Sequence, residues 1–209
     1  MHYSESMTLI DLSMTLSAST PVYPGDPSVV ITVAAQMEAD GFLDHSLALG
    51  THNGTHIDAA GHMVPGGKML DDYPLDQFVG RGVLVDARDG VDADQLRKQE
   101  ISRGDMVLIW TGISDSLYSE NYYERDPQVS QDAAEYLVSK GVNLVAVDAG
   151  SIDASPFPIH KTLLSGGVLL AENLVGLSQL QNATFEVWAL PLNLQVEAAP
   201  ARVVARILP

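Results

Sequence analysis

The sequence predicts a single α/β domain built on a mixed sheet, and three observations carry that prediction. Short apolar runs alternate with helical signals over the last two-thirds of the chain, and the first third reads as extended segments divided by turns. The length of 209 residues suffices for one well-buried core and would crowd two. Taken in order, Thr8 to Leu16 alternates as a strand, and Pro21-Val22-Tyr23-Pro24-Gly25-Asp26-Pro27 is a rigid turn. Val29 to Ala35 and Ser46 to Leu49 read as further strands. Gly82 to Asp86 is a buried strand, Asp92 to Ile101 a short polar helix, and Met106 to Trp110 another apolar run. Residues 130–140 carry a helix signature, with Ser130 as N-cap, apolar Ala133, Ala134, Leu137 and Val138, and Gly141 at the end. Asn143 to Val147, Phe185 to Leu190 and Val203 to Leu208 complete the strands. Residues 113–127 form a long polar connection rich in tyrosine, which suits either a functional loop or a solvated one.

Composition removes several function classes. Apolar residues make up 46% of the chain, and no stretch reaches the ~18 apolar residues of a membrane span. No basic segment followed by an apolar run opens the chain, so no secretory leader is expected. Cysteine is absent, which excludes disulfides, thiolate ligands and a cysteine nucleophile and fits the cytoplasm. A net charge of -16 argues against nucleic acid, whose phosphates require a basic footprint. There is no Gly-x-Ser-x-Gly elbow, and Ser151, near Asp148 and Asp153, reads as a turn cap.

The chemistry concentrates in His52-Asn53-Gly54-Thr55-His56-Ile57-Asp58-Ala59-Ala60-Gly61-His62. Three histidines and an aspartate within one short segment point to a metal. A straight strand would hold His52 and His56 roughly 13 Å apart, too far to share an ion. A helix would join those two but turn Asp58 away, and Gly54 and Gly61 suit a helix poorly. A bent strand-loop is therefore predicted, with Gly54 allowing the curl. His2 and His45 are read as surface or structural residues.

His-x-Gly-Thr-His-x-Asp, followed by a histidine four residues on, resembles the signature of the cyclase family of metal-dependent hydrolases, which includes bacterial kynurenine formamidases and isatin hydrolases. Pro21 to Pro27 resembles the family's Pro-aromatic-Pro-Gly-Asp turn. Ser151-Ile152-Asp153, His160-Lys161-Thr162-Leu163-Leu164 and Glu172-Asn173-Leu174 resemble its second ligand-bearing region. The resemblance implies a swivelling β/β/α-type arrangement, a homodimer or larger homo-oligomer, and a small-molecule substrate. It implies that His52, His56 and Asp58 hold one metal, and that Asp58, His160 and Glu172 hold a second in two-metal members. It gives His62 the role of acid-base catalyst. These imidazole and carboxylate donors suit zinc or manganese, one or two per chain.

The activity implied is hydrolysis of an amide, an aryl formamide such as N-formylkynurenine, by metal-activated water. Ring opening of a cyclic amide with a single metal, as in isatin hydrolases, is the alternative within enzymes. A metal-binding member without catalysis is the other. Two places depart from the family pattern: Ala60 stands where proline is usual, and Tyr23 replaces the tryptophan with which kynurenine formamidases contact their substrate. Tyr23 is accordingly the expected substrate contact, with Phe42, the Tyr118 to Tyr123 segment and Trp188 as further candidates for an apolar wall.

Overall fold

The computed structural model describes residues 8–209, so His2 lies outside the described residues. The strands, in chain order, are β1 (Leu9–Asp11), β2 (Val30–Ala35), β3 (Asp44–Ala48), β4 (His56–Asp58), β5 (Val79–Asp86), β6 (Met106–Trp110), β7 (Leu144–Val147), β8 (Leu169–Glu172), β9 (Phe185–Pro191) and β10 (Ala198–Ile207). The helices are α1 (Met37–Asp40), α2 (Ala93–Arg97), α3 (Gln131–Lys140) and α4 (Pro158–Ser165).

The expected mixed-sheet α/β domain is the fold observed, and its sheet closes on itself. β5, β6, β7 and β8 run parallel, while β4, β10 and β9 continue antiparallel from β8 round to β5. The result is a seven-stranded barrel. Long β10 makes the closure possible, pairing with β4 through Ala198–Pro200, with β9 through Ala201–Ile207, and with β1 on its outer edge.

Strands buried on both faces read as unbroken apolar runs, which is why β6 was visible as Met106 to Trp110 and β7 as Asn143 to Val147, one residue longer than observed. Met106, Leu108, Trp110 and Ala146 fill the barrel with Phe185 and Val187. Their neighbours Val107, Ile109, Val145 and Val147 pack outward on Leu137, Leu163 and Leu96 of the helices. α3 begins and ends as its sequence dictates: the Ser130 hydroxyl accepts from the Ala133 amide, and Gly141 closes the helix with φ 67°.

Several boundaries differ from the sequence reading. Thr8 to Leu16 forms a strand only over β1, followed by a single bridge of Ser13 to Leu174, after which the Met14 amide bonds to Thr55 Oγ1. The helix expected over Asp92 to Ile101 is shorter, since its capping box of Asp92 and Gln95 opens only the five residues of α2. α4 and β8 had no counterpart in the reading, although both carry site residues. β2 and β3 form a separate two-stranded hairpin with Ile31, Val33, Phe42 and Leu47 exposed. Among the described residues no helix is long and apolar enough to cross a membrane.

Barrel closure leaves no room for a side chain at Gly82, where a Cβ would lie 2.0 Å from Phe185 Cε2. Gly82→Ala is expected to cost about 1–3 kcal/mol through overpacking. Thermal unfolding checks this, and an unchanged midpoint would show that Phe185 is free to move off β5.

Candidate metal centre and active site

The first motif is bent where the sequence predicted. Gly54 has φ 68°, and a Cβ there would lie 2.5 Å from Leu16 Cδ2, so only glycine fits the turn. Thr55 anchors the bend: its hydroxyl donates to the Asn173 carbonyl (2.6 Å) and accepts from the Met14 amide (2.9 Å). The His52 and His56 rings consequently sit 5.0 Å apart, centroid to centroid.

From that point strand geometry takes over. His56 and Asp58 point to one face of β4 while Ile57 points into the barrel. Glu172 is directly opposite His56 on β8 and shares its face. α4 covers this face and supplies His160. Proline at its first position starts the helix.

These residues form one compact group. Asp58 Oδ1 lies 3.0 Å from His52 Nδ1 and 3.4 Å from His56 Nε2, while Asp58 Oδ2 faces His160 Nε2 at 3.9 Å. Glu172 repeats the arrangement, with Oε2 3.7 Å from His56 Nε2 and Oε1 3.2 Å from His160 Nε2. Each carboxylate thus turns one oxygen toward His56 and the other toward His160. His62, on a 3-10 turn spanning Ala60–His62, brings its ring within 4.2 Å of His52 and 6.0 Å of His160. The structure therefore brings together all five predicted ligands and His62.

A divalent cation fits this donor set. Both Asp58 oxygens and His56 Nε2 are buried without a hydrogen-bond partner. Asp148 is equally buried, yet its oxygens receive the Thr111 and Gly112 amides and the Thr111 and Ser114 hydroxyls. One carboxylate is satisfied by donors; the other is arranged for a positive ion. No lysine or arginine lines the cavity above the group. Charges respond accordingly. Burial would lower His160, but Glu172, Asp153 and Asp58 outweigh it and push its pKa up to about 10. Burial would raise Asp58, but His56, His52 and His62 hold it well below the usual carboxylate range. Burial lowers His62, and the neighbouring His52 and His160 reinforce this against Asp58, leaving a neutral imidazole at pH 7. By distance alone, His62 could also join Asp58 and His160 around one ion.

The cavity above the cluster has a volume of about 220 Å³ and aromatic walls. Tyr23, the expected substrate contact, lines it with Tyr123 and Phe157. Tyr23 and Tyr123 meet edge to face at 5.6 Å, and the Tyr123 hydroxyl donates to the Pro21 carbonyl. Of the other wall candidates, only Tyr123 belongs. Phe42 is exposed on the β2–β3 hairpin, and Trp188 sits on β9 opposite Val79 and Val204. Tyr118 is exposed, and Tyr122 is buried with its hydroxyl on Asn173 Oδ1. The sequence reading missed Phe157 and Met63, whose only local signals are a following proline and proximity to His62. A larger open groove of about 590 Å³ beside Arg81, Lys98 and Trp110 is lined by no histidine among the described residues.

A closed mixed barrel thus carries, on its helix-covered face, a cluster of imidazoles and carboxylates that could hold a divalent metal. Residues 10–154 match the family model "Putative cyclase", and the chain belongs to that family. The match includes the first motif and stops before His160 and Glu172. The chain is 36% identical to the kynurenine formamidase of Salinibacter ruber (strain DSM 13855 / M31) over 97% of its length and 99% of that protein's. It is 31% identical to the solved structure of a potential metal-dependent hydrolase with cyclase activity, with a TM-score of 0.79 over 98% of this chain and 100% of that one. Isatin hydrolase A from Labrenzia aggregata shares the fold, with a TM-score of 0.87 at 21% identity over 99% of this chain and 96% of that one.

Zinc or manganese at a hundredfold excess over its dissociation constant should stabilise the metal-free protein by about 2.7 kcal/mol. That raises its melting temperature by roughly 5–10 °C at this chain length. Asp58→Asn should abolish the shift, because both halves of the cluster use that carboxylate. A full shift in the variant, measured by calorimetry, would put the metal elsewhere.

Proposed function

We propose that this chain hydrolyses the amide bond of an aryl formamide, with N-formylkynurenine as the reference substrate. The observation that carries the proposal is the orientation of Asp58 and Glu172, each offering one oxygen to the His56 side and one to His160. In this reading His52, His56 and Asp58 hold one divalent ion, and Asp58, His160 and Glu172 hold a second. Bound there, zinc or manganese supplies Lewis acidity and lowers the pKa of a coordinated water to about 7. Likeness to kynurenine formamidases along nearly the whole chain supports the formamide.

The remaining work falls to the chain's own groups. His62 faces the cavity as a neutral imidazole, able to take a proton from the attacking water. It returns that proton to the leaving nitrogen as the C–N bond breaks, so a neutral aryl amine departs with formic acid, which then gives its own proton to solvent and becomes formate. The Tyr23, Tyr123 and Phe157 rings hold the aryl group by stacking and edge contacts. Burial of the cluster keeps bulk water from competing for the carbonyl.

His62→Ala should lower kcat for N-formylkynurenine by about 10²–10⁴-fold while metal content stays unchanged. Loss of metal in the variant would make His62 a ligand. Faster turnover of isatin than of N-formylkynurenine by the native protein, with about one metal per chain by elemental analysis, would replace the formamidase reading with cyclic-amide opening.

The proposal includes self-association through the β2–β3 hairpin. A two-stranded hairpin is marginal in water, and this one exposes Ile31, Val33, Phe42, Leu43 and Leu47. A second copy laid on that surface would cover them. Light scattering should show a dimer that Phe42→Glu converts to monomer; a dimer unaffected by the substitution would place the interface elsewhere.

A further inference from the structure

We infer that Asp153 is a positioning residue that fixes the ring of His160 so that Nε2, and not Nδ1, faces Asp58 and Glu172. The inference rests on the metal reading above and concerns a carboxylate outside the proposed ligand set. Asp153 Oδ1 lies 2.5 Å from His160 Nδ1. Its other oxygen accepts the Ile159 amide at 2.6 Å, so the carboxylate is clamped to the first turn of α4. A carboxylate only accepts hydrogen bonds, so the Nδ1 proton is held in place by Asp153. The proton a metal would displace is therefore the one on Nε2, the nitrogen that faces the Glu172 oxygen 3.2 Å away and the Asp58 oxygen 3.9 Å away. Fixing the tautomer in this way is how outer acceptors commonly tune histidine ligands.

The other two proposed histidine ligands follow the same rule with different acceptors. His56 turns Nδ1 to the Gly54 carbonyl at 2.8 Å, leaving Nε2 buried without a partner. His52 is reversed: Nδ1 faces Asp58, and Nε2 lies 3.6 Å from Glu197 Oε1. Glu197 is held by the Thr51 hydroxyl at 2.8 Å. Each ring therefore has one nitrogen toward the shared carboxylates and one toward an oxygen behind it. Asp153 provides the shortest of these contacts.

Asp153→Asn tests the assignment sharply. An asparagine that keeps its oxygen on the Ile159 amide presents its NH₂ to His160 Nδ1. That favours the opposite tautomer, with the proton on Nε2, where it blocks ligation. The variant should bind zinc about 10–100-fold more weakly in one of two sites by titration calorimetry, leaving the site of His52 and His56 unchanged. In the zinc-loaded native protein, the ¹⁵N spectrum should show a protonated His160 Nδ1, and Asp153→Asn should lose that signal. Asp153→Glu, which restores an anionic acceptor, should recover part of the affinity. A purely structural role predicts a lower melting temperature of the metal-free variant with native zinc affinity and an unchanged ¹⁵N spectrum, which would overturn the inference. If the native protein itself takes up no zinc, the metal reading fails, and not the role of Asp153 within it.

Discussion

The structure depends on burying two carboxylates side by side, Asp58 with no hydrogen-bond donor on either oxygen and Glu172 with only the Ile152 amide on Oε1. Asp58 is fully enclosed and Glu172 nearly so, and no lysine or arginine reaches the cavity they face. Enclosing such charges costs several kcal/mol each unless a cation or strong donors compensate. The imidazoles of His52, His56 and His160 do part of this, and the raised pKa of His160 shows that the group attracts positive charge. Asp148, a few residues before the second ligand region, shows what the fold does when it intends only stability: it surrounds the carboxylate with amides and hydroxyls. A fold that satisfies one buried carboxylate and strands another has reserved the second for a ligand.

The barrel puts this charge at its seam. β8 is parallel to β7 on one side and antiparallel to β4 on the other, so Glu172 at its end meets His56 across the change of direction. Ligand sites outside the carboxyl ends of parallel strands are a general property of α/β sheets, and here the antiparallel β4 adds two more donors to that position. The contributing segments lie far apart in sequence, so the cluster exists only once β4 is held between β10 and β8. Ion binding and barrel closure are then linked equilibria, and affinity for the metal adds to the stability of the fold.

How much of this could be read from the sequence follows the range of each interaction. The β6 and β7 strands and the α3 helix were legible because burial on two faces, a Ser130 cap and a terminal Gly141 are local signals. The first motif was legible for the same reason, down to the bend at Gly54. His160 and Glu172 were reached only by resemblance, since α4 starts after Phe157 in a left-handed conformation without a capping side chain. Asp153 entered only as part of the Ser151-Ile152-Asp153 resemblance, without a role, and Glu197 carried no signal, because what matters about them is the ring nitrogen each one faces. Phe42 and Trp188 were misplaced because an aromatic side chain looks alike in sequence whether it lines a cavity, packs on a strand or stands exposed on a hairpin.

The four clustered histidines look equivalent as letters, and their surroundings divide them. His52, His56 and His160 are each held from behind by an oxygen, which suits a ligand that must keep one orientation. Among the described residues, His62 has no such acceptor behind it, and it borders the cavity. Its backbone is nonetheless fixed without the family's proline: the Gly61 amide bonds to the Lys68 carbonyl, and the His62 amide to that of Ala59. A Cβ at Gly67 would lie 2.7 Å from the Ala60 carbonyl oxygen, so the two arms of this loop are in direct backbone contact. A fixed backbone and a free ring are what proton transfer requires, because a proton carrier must reach both the attacking and the leaving atom. Rigidity in the ligands and freedom in His62 are thus set by a few outer oxygens, and changing those oxygens is the most direct way to convert one kind of histidine into the other.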